Sequence, residues 1–333
     1  MKKNIFLRFD ADDGSKHGLG HLYRSFHIYS FLKKKFKNHN FFIVTKKNVK
    51  GLEIIKSKFD VPILFLDNKF YELNFDKNQD IFIIDTLGKD IRLIELLSKK
   101  KIKLILFDHL NIRYLYDAII INGIFFAKKK VYSKSKKIKI FQGPNYIFLN
   151  KIYCKNKKIK YNSKILNAIV TSGGSDKKNF LYSVTSFLIK LNFKKIFVIV
   201  GKGVLKKNKI FTLNKNKNVI LIMNCENIKK YFDFSNVAFV SGGNVMFESI
   251  AAGKPTLVIK NYEHQKFAIN FFKKLKCVYS HSNLNSINEK IIKKFLKFSG
   301  ENYFRIFKKN TKVIDGLGFI RIRNIIVKYI NSF

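Results

Sequence analysis

FVSGGNVMFESIAAGKPTLVI, residues 239–259, decides how the rest of the chain is read. A short apolar run ends at Gly242 and Gly243, an amphipathic segment opens at Asn244, Gly253 stops it, and Pro255 leads into a second apolar run. That order is strand, helix, strand, with glycine at the helix stop and proline just beyond it. Paired glycines let a backbone turn tightly or come close to a ligand. The amides freed at the helix N-terminus suit a phosphate group. Glu248 follows Asn244 by one turn, so both project from the same side of the helix. Amides for a diphosphate and a carboxylate for paired ribose hydroxyls then share one site. Gln265, in the following NYEHQKFAINFF, begins another helix directed at the same place.

Working outward, the pattern repeats. NIFLRF, FFIVT, ILFL, IFIID, KLILFD and AIIIN read as strands in the first half, and NAIVTSG, KIFVIVG, NVILIM, VAFVSG and TLVIK in the second. Amphipathic segments near 21–36, 90–100, 177–191, 226–233, 244–252 and 263–275 lie between them. Continuous apolar runs suggest strands buried on both faces, and strand–helix alternation predicts parallel α/β sheets. The expectation is two Rossmann-like, doubly wound parallel-sheet domains facing a cleft, with ligands at the carboxyl ends of the strands. The boundaries fall at 1–150 for the first domain, 151–164 for a lysine-rich polar linker, and 165–333 for the second. The C-terminal helices are counted with the second domain; packing back onto the first is the alternative.

Two more strand-to-helix turns carry chemistry. In IVTSGGSDKKN (169–179), Gly173 and Gly174 follow a strand, and Ser175 or Asp176 can cap the next helix. In RFDADDGSKHGLGHLYRS (8–25), Gly18 and Gly20 make the turn and His21 falls in the first helical turn. A histidine there can accept or deliver a proton near neutral pH. Asp10, at the strand's end, can orient it or hold a substrate hydroxyl. Arg24, one turn on, is counted among the substrate-holding residues.

Composition narrows the classes. The 333 residues carry a formal charge of +44, which invites a nucleic-acid reading. The lysines are spread along the chain rather than gathered in a stripe, and Lys, Asn, Ile and Phe are abundant together, as AT-rich codons would produce. No specific nucleic-acid partner is therefore expected, and peripheral contact with an anionic membrane surface stays open. Three scattered cysteines indicate neither disulfides nor zinc, which fits a reduced, cytoplasmic setting. MKKNIFLRFD reads as a first strand and not a secretory leader. Walker, dinucleotide-fingerprint and zinc-protease patterns are absent, so neither a cofactor nor a metal is called for.

Taken together, RFD…GLGHLYRS, GPNYIFLN (143–150), TSGGSDKKN and SGGNVMFESIAAGKPTLVI…Q resemble, in order, the PseG family, UDP-sugar hydrolases of pseudaminic acid synthesis, with its SpsG-like relatives. The resemblance covers roughly residues 3–275. It implies a GT-B pair of domains, as in MurG, with UDP held mainly by the second half. Gly173 and Gly174 would then line the nucleotide pocket, Gly242, Gly243 and Asn244 meet the diphosphate, and Glu248 bind the ribose. His21 would match the family's histidine at the reacting sugar, and Asp10 its neighbouring aspartate. The implied reaction is attack of water at the anomeric carbon, releasing UDP and free sugar; a GT-B glycosyltransferase using a UDP-sugar donor is the alternative. Three features depart from the family: the Arg8–His21 loop is longer, Asp85-Thr86-Leu87 stands where Asp-His-Tyr is usual, and His264-Gln265 where Asn-Gln is usual.

Overall fold

The computed structural model describes residues 2–11, 20–47, 49, 51–86, 90–109, 115–123, 137–154, 166–176, 178–223 and 225–332. It divides the chain into two compact units, Met1–Phe148 with Gly318–Phe333, and Leu149–Leu317.

The first unit runs β1 (Asn4–Phe9), α1 (Gly20–Lys35), β2 (Asn40–Thr45), α2 (Leu52–Lys58), β3 (Ile63–Phe65), α3 (Asn68–Tyr71), β4 (Asp80–Asp85), α4 (Ile91–Lys99), β5 (Lys103–Phe107), β6 (Ala118–Asn122) and β7 (Ile138–Gln142). The sheet order is β3-β2-β1-β4-β5-β6-β7, and every pairing is parallel. The apolar runs read from sequence are β1 to β6, and all but the edge strand β3 are largely buried. Ile5, Leu7 and Phe9 join Leu22, Ile28 and Leu32 of α1 in one core. Phe6 points the other way, stacks at 4.5 Å on Phe82 and 4.9 Å on Phe42, and meets Leu93, Ile94 and Leu97 of α4.

The second unit runs β8 (Asn167–Thr171), α5 (Phe180–Lys190), β9 (Lys195–Val200), β10 (Val219–Met223), α6 (Ile228–Phe234), β11 (Val237–Ser241), α7 (Asn244–Ala251), β12 (Thr256–Ile259), α8 (Lys266–Lys274), β13 (Tyr279–His281) and α9 (Glu289–Val313). Its sheet order is β10-β9-β8-β11-β12-β13, again all parallel. In each sheet the strand order reverses once, between β1 and β4 and between β8 and β11. Such switch points leave a crevice at the strands' carboxyl ends, the usual ligand position in this architecture.

The sheets hold seven and six strands where six and five were read. The additions are edge strands. β7 is half-exposed, and β13 is three partly polar residues long, so neither shows a buried apolar run. The domain boundaries need one correction. The final helix, α10 (Gly318–Asn331), belongs to the first unit and not the second. Its Ile322, Ile326, Tyr329 and Ile330 join the core beneath α1, and Tyr329 donates its hydroxyl to Asp117 at 2.8 Å. Gly318 sits so close to Ile147 that a Cβ would meet the carbonyl oxygen at 2.0 Å. The expected linker starts inside the second unit, with Lys151–Cys154 in a 3-10 turn; its residues 155–164 lie outside the described residues.

Candidate functional site

In the first unit the switch point gathers charge. β1 and β4 pair in register, Phe9 opposite Asp85, so Asp10 and Asp85 both stand near that edge. They serve different ends. Asp10 accepts from both terminal nitrogens of Arg8, at 2.5 and 2.9 Å, from Thr45 Oγ1 at 3.3 Å and from the Lys46 amide at 3.2 Å. Arg8 is fully buried and also pairs with Asp90 at 2.8 Å. Burial opposes the charge on Asp10, but the Arg8 contact outweighs it and the carboxyl sits below its ordinary value. Asp10 therefore ties β1 to β2 and neutralises Arg8. The carboxylate that His21 meets is Asp85.

His21 and Arg24 lie one turn apart on α1 and reach Asp85 together. His21 Nδ1 is 2.5 Å from Asp85 Oδ1. Arg24 donates from Nη2 to the same oxygen at 2.5 Å and from Nε to Oδ2 at 2.6 Å. Its third nitrogen, Nη1, pairs with Asp108 at 2.8 Å, and the guanidinium lies 4.8 Å from the centroid of the Phe107 ring. Burial opposes the Asp85 charge, yet Arg24 and then His21 hold its carboxyl well below the usual range. An ionised carboxylate can only accept, so Nδ1 of neutral His21 carries the proton and the lone pair lies on Nε2. The imidazole is 22% exposed. Beside it, His109 is fully buried, and burial lowers it to about 4, so it stays neutral at physiological pH.

This geometry revises two expected roles. Arg24 has all three nitrogens on carboxylates and is 13% exposed, so it holds the site together instead of waiting for a phosphate. Two buried carboxylates side by side require such a cation. No sequence motif marks Asp85 as the partner of His21, Asp108 as a partner of Arg24, or His109 as a buried neighbour. Their signal is an acid at the carboxyl end of an apolar strand, as in IFIID and KLILFDH. Gly20 begins α1, while Gly18 and Leu87 lie outside the described residues.

In the second unit, Gly173 has φ +86°, a conformation glycine favours, and a Cβ on Gly174 would meet nothing within 4 Å. The turn presses on Gly201, where a Cβ would fall 2.1 Å from the Gly173 oxygen. Asp176 is the cap, accepting from the amides of Phe180 at 2.7 Å and Leu181 at 3.1 Å. Next to this turn, Ser241 donates to the Ser172 carbonyl at 2.9 Å, linking the ends of β8 and β11.

The glycines before α7 divide in the same way. A Cβ on Gly242 would strike Ile269 at 2.5 Å, so that glycine answers to packing against α8. On Gly243 it would find nothing nearer than 4.0 Å. Asn244 is exposed at the first position of α7. Glu248, one turn on, is half-buried, and burial pushes its carboxyl up to about 7. The buried hydroxyl of Tyr153 has no hydrogen-bond partner among the described residues, and Glu248 is the first of the charges acting on it. Gln265 is buried, and its Oε1 accepts from the amides of Asn261 at 2.9 Å and Tyr262 at 3.2 Å. Its Nε2 is the atom nearest a Cβ built on Gly243. Of the expected residues, Gly243, Asn244, Glu248 and Gln265 thus gather around one end of α7, and Gly242 is a packing residue beneath them.

No known family profile matches the chain. The chain is 26% identical over 293 residues to the uncharacterized protein MJ1062 of Methanocaldococcus jannaschii, covering 83% of this chain and 60% of that one. It is 24% identical over 197 residues to the spore coat polysaccharide biosynthesis protein SpsG of Bacillus subtilis, covering 57% and 58%. The chain thus matches about six-tenths of the length of both curated relatives. Among solved structures it superposes on MurG of Acinetobacter baumannii with TM-score 0.65 at 10% identity, covering 98% of this chain and 100% of that one. It superposes on Arabidopsis thaliana UGT89C1 complexed with UDP with TM-score 0.62 at 10% identity, covering 98% and 99%. The chain has the two-unit parallel α/β fold seen in GT-B glycosyltransferases such as MurG, and its sequence is similar at low identity to SpsG.

Proposed function

We propose that the protein breaks the anomeric carbon–oxygen bond of a UDP-sugar and hands the sugar to a hydroxyl acceptor, as a glycosyltransferase of surface-polysaccharide synthesis. The observation that carries this reading is the N-terminal end of α7. An open glycine and an exposed asparagine stand there, with a half-buried carboxyl, pushed up by burial, one turn below. Amides at a helix N-terminus favour a diphosphate, and a carboxylate suits the two hydroxyls of a ribose. The likeness to a UDP-bound structure and the relationship to SpsG support the same ligand class.

In this reading the acceptor oxygen attacks the anomeric carbon while His21 Nε2 takes its proton. Asp85 holds Nδ1–H and steadies the imidazolium that forms. The bond to the diphosphate oxygen breaks, and UDP leaves with the electron pair, stabilised by amides and the helix dipole. A second reading has water as the acceptor, giving free sugar and UDP. The order of motifs from Arg8 to Gln265, which resembles UDP-sugar hydrolases, favours it.

One experiment separates the two. The purified protein is incubated with a panel of UDP-sugars in heavy-oxygen water, with and without hydroxyl acceptors, and products are read by mass spectrometry. Transfer predicts UDP release that depends on an acceptor and a sugar without label. Hydrolysis predicts acceptor-independent release and label in the sugar. No UDP release from any member would overturn both.

A further inference from the structure

His21 and Arg24 donate to the same oxygen of Asp85, each at 2.5 Å. Arg24 also takes the second Asp85 oxygen and reaches Asp108. One carboxylate thus serves two donors of different kinds, a permanent cation and an imidazole that can carry or release a proton. A carboxylate left wholly to an imidazole favours the imidazolium strongly. A histidine that must take a proton from a hydroxyl needs that pull moderated.

We propose that Arg24 is a positioning residue that sets the proton affinity of His21 by sharing Asp85 with it, with Asp108 as the counterweight that keeps Arg24 from quenching Asp85 outright. The charges bear this out. Arg24, Asp85 and Asp108 sum to one negative charge, and a protonated His21 brings the cluster to zero. Among the described residues, the groups facing it are Arg24 from its own helix, Asp85 from the end of β4, and Asp108 with His109 from the end of β5. His109 adds no charge at neutral pH, since its burial keeps it unprotonated there. The guanidinium is fixed from below by the Phe107 ring and from the side by Asp108, so it cannot swing away from Asp85 when the imidazole titrates.

Removing the cation should let the imidazole hold its proton to higher pH, and removing Asp108 should do the reverse. The proposal deepens the reading of His21 as the base, but its test does not depend on turnover. The ring protons of His21 are followed by NMR through a pH titration of the full chain. In Arg24→Met the titration midpoint rises by about one pH unit. In Asp108→Asn it falls, and in Arg24→Lys, which keeps the charge but loses the two-oxygen grip, it lies between wild type and Arg24→Met. Lys34→Met, an exposed lysine of the same helix, leaves it in place. If Arg24→Met does not fold, Asp108→Asn and Arg24→Lys decide the matter alone. A folded Arg24 or Asp108 variant whose midpoint does not move, or moves the other way, overturns the proposal. Should the midpoints move as stated while His21→Asn keeps wild-type turnover, the reading of His21 as base fails and the role of Arg24 stands.

Discussion

At the scale of single residues, Arg8, Asp10 and Arg24 hold the first unit together through buried ion pairs, while the His21 imidazole is partly exposed. Asp85 is expected to matter through His21. Asp85→Asn keeps the shape but leaves Nδ1 without an anionic acceptor, and turnover should fall by about 10²–10⁴-fold while UDP affinity stays within about twofold. Steady-state kinetics beside an equilibrium UDP titration read both. Glu248 predicts a pH effect of definite sign. Its carboxyl rises from an ordinary 4.5 to about 7 on folding. Below 4.5 it is protonated in both states and costs nothing. Between 4.5 and 7 the unfolded chain ionises it more readily, so stability is lost as pH climbs and the loss is complete above 7. Glu248→Gln should therefore melt higher than wild type at pH 8, melt equally at pH 4, and bind UDP more weakly. Equal melting at pH 8 would contradict it. The sequence marks the places of His21 and Glu248, each in a helix that opens after a strand end. It does not mark the partner of His21, because the contact joins residues 64 positions apart and two acids, Asp10 and Asp85, end neighbouring strands. Only the pairing of Arg8 with Asp10 removes the first of them.

At the scale of elements, the glycine turns do two jobs that identical letters conceal. Gly201→Ala puts a methyl 2.1 Å from a backbone oxygen, so it should lower the melting temperature markedly or prevent folding. Gly174→Ala meets nothing within 4 Å, so its stability should stay within about 0.5 kcal/mol of wild type. If a ligand approaches that turn, the same change weakens UDP binding about tenfold or more, read by calorimetry. Loss of stability without loss of binding in Gly174→Ala would make that turn ordinary packing. The strands were legible because parallel strands covered on both faces become unbroken apolar runs, as in KIFVIV and VAFVS. The edge strands β7 and β13 were not, since IKIFQ and YSH interleave polar residues, whereas the edge strands β3 and β10 remain apolar as ILF and VILIM. The entry to α5 was also read too early: Asn179 adopts φ +53°, which delays the helix to Phe180.

At the scale of the whole molecule, the chain leaves its first unit near residue 148 and returns to it at residue 318. That return was the least legible feature. α10 has the same apolar spacing wherever it packs, and only the burial of Ile322, Ile326 and Ile330 beneath α1 shows which core it completes. Removing residues 318–333 strips three buried isoleucines, each worth about 1.5–3 kcal/mol of burial, from the first unit alone. The shortened chain should lose turnover and expose the first unit to proteolysis while still binding UDP through the second. The central claim, that this protein holds a uridine diphosphate sugar and uses His21 on it, is tested most directly by mass-spectrometric assay of UDP release for wild type and His21→Asn, beside a UDP titration of both. The account predicts that wild type releases UDP from at least one UDP-sugar, and that His21→Asn binds UDP equally well but releases it at least about 100-fold more slowly. Wild-type protein that binds no UDP, or a His21→Asn protein that works at the wild-type rate, would contradict it.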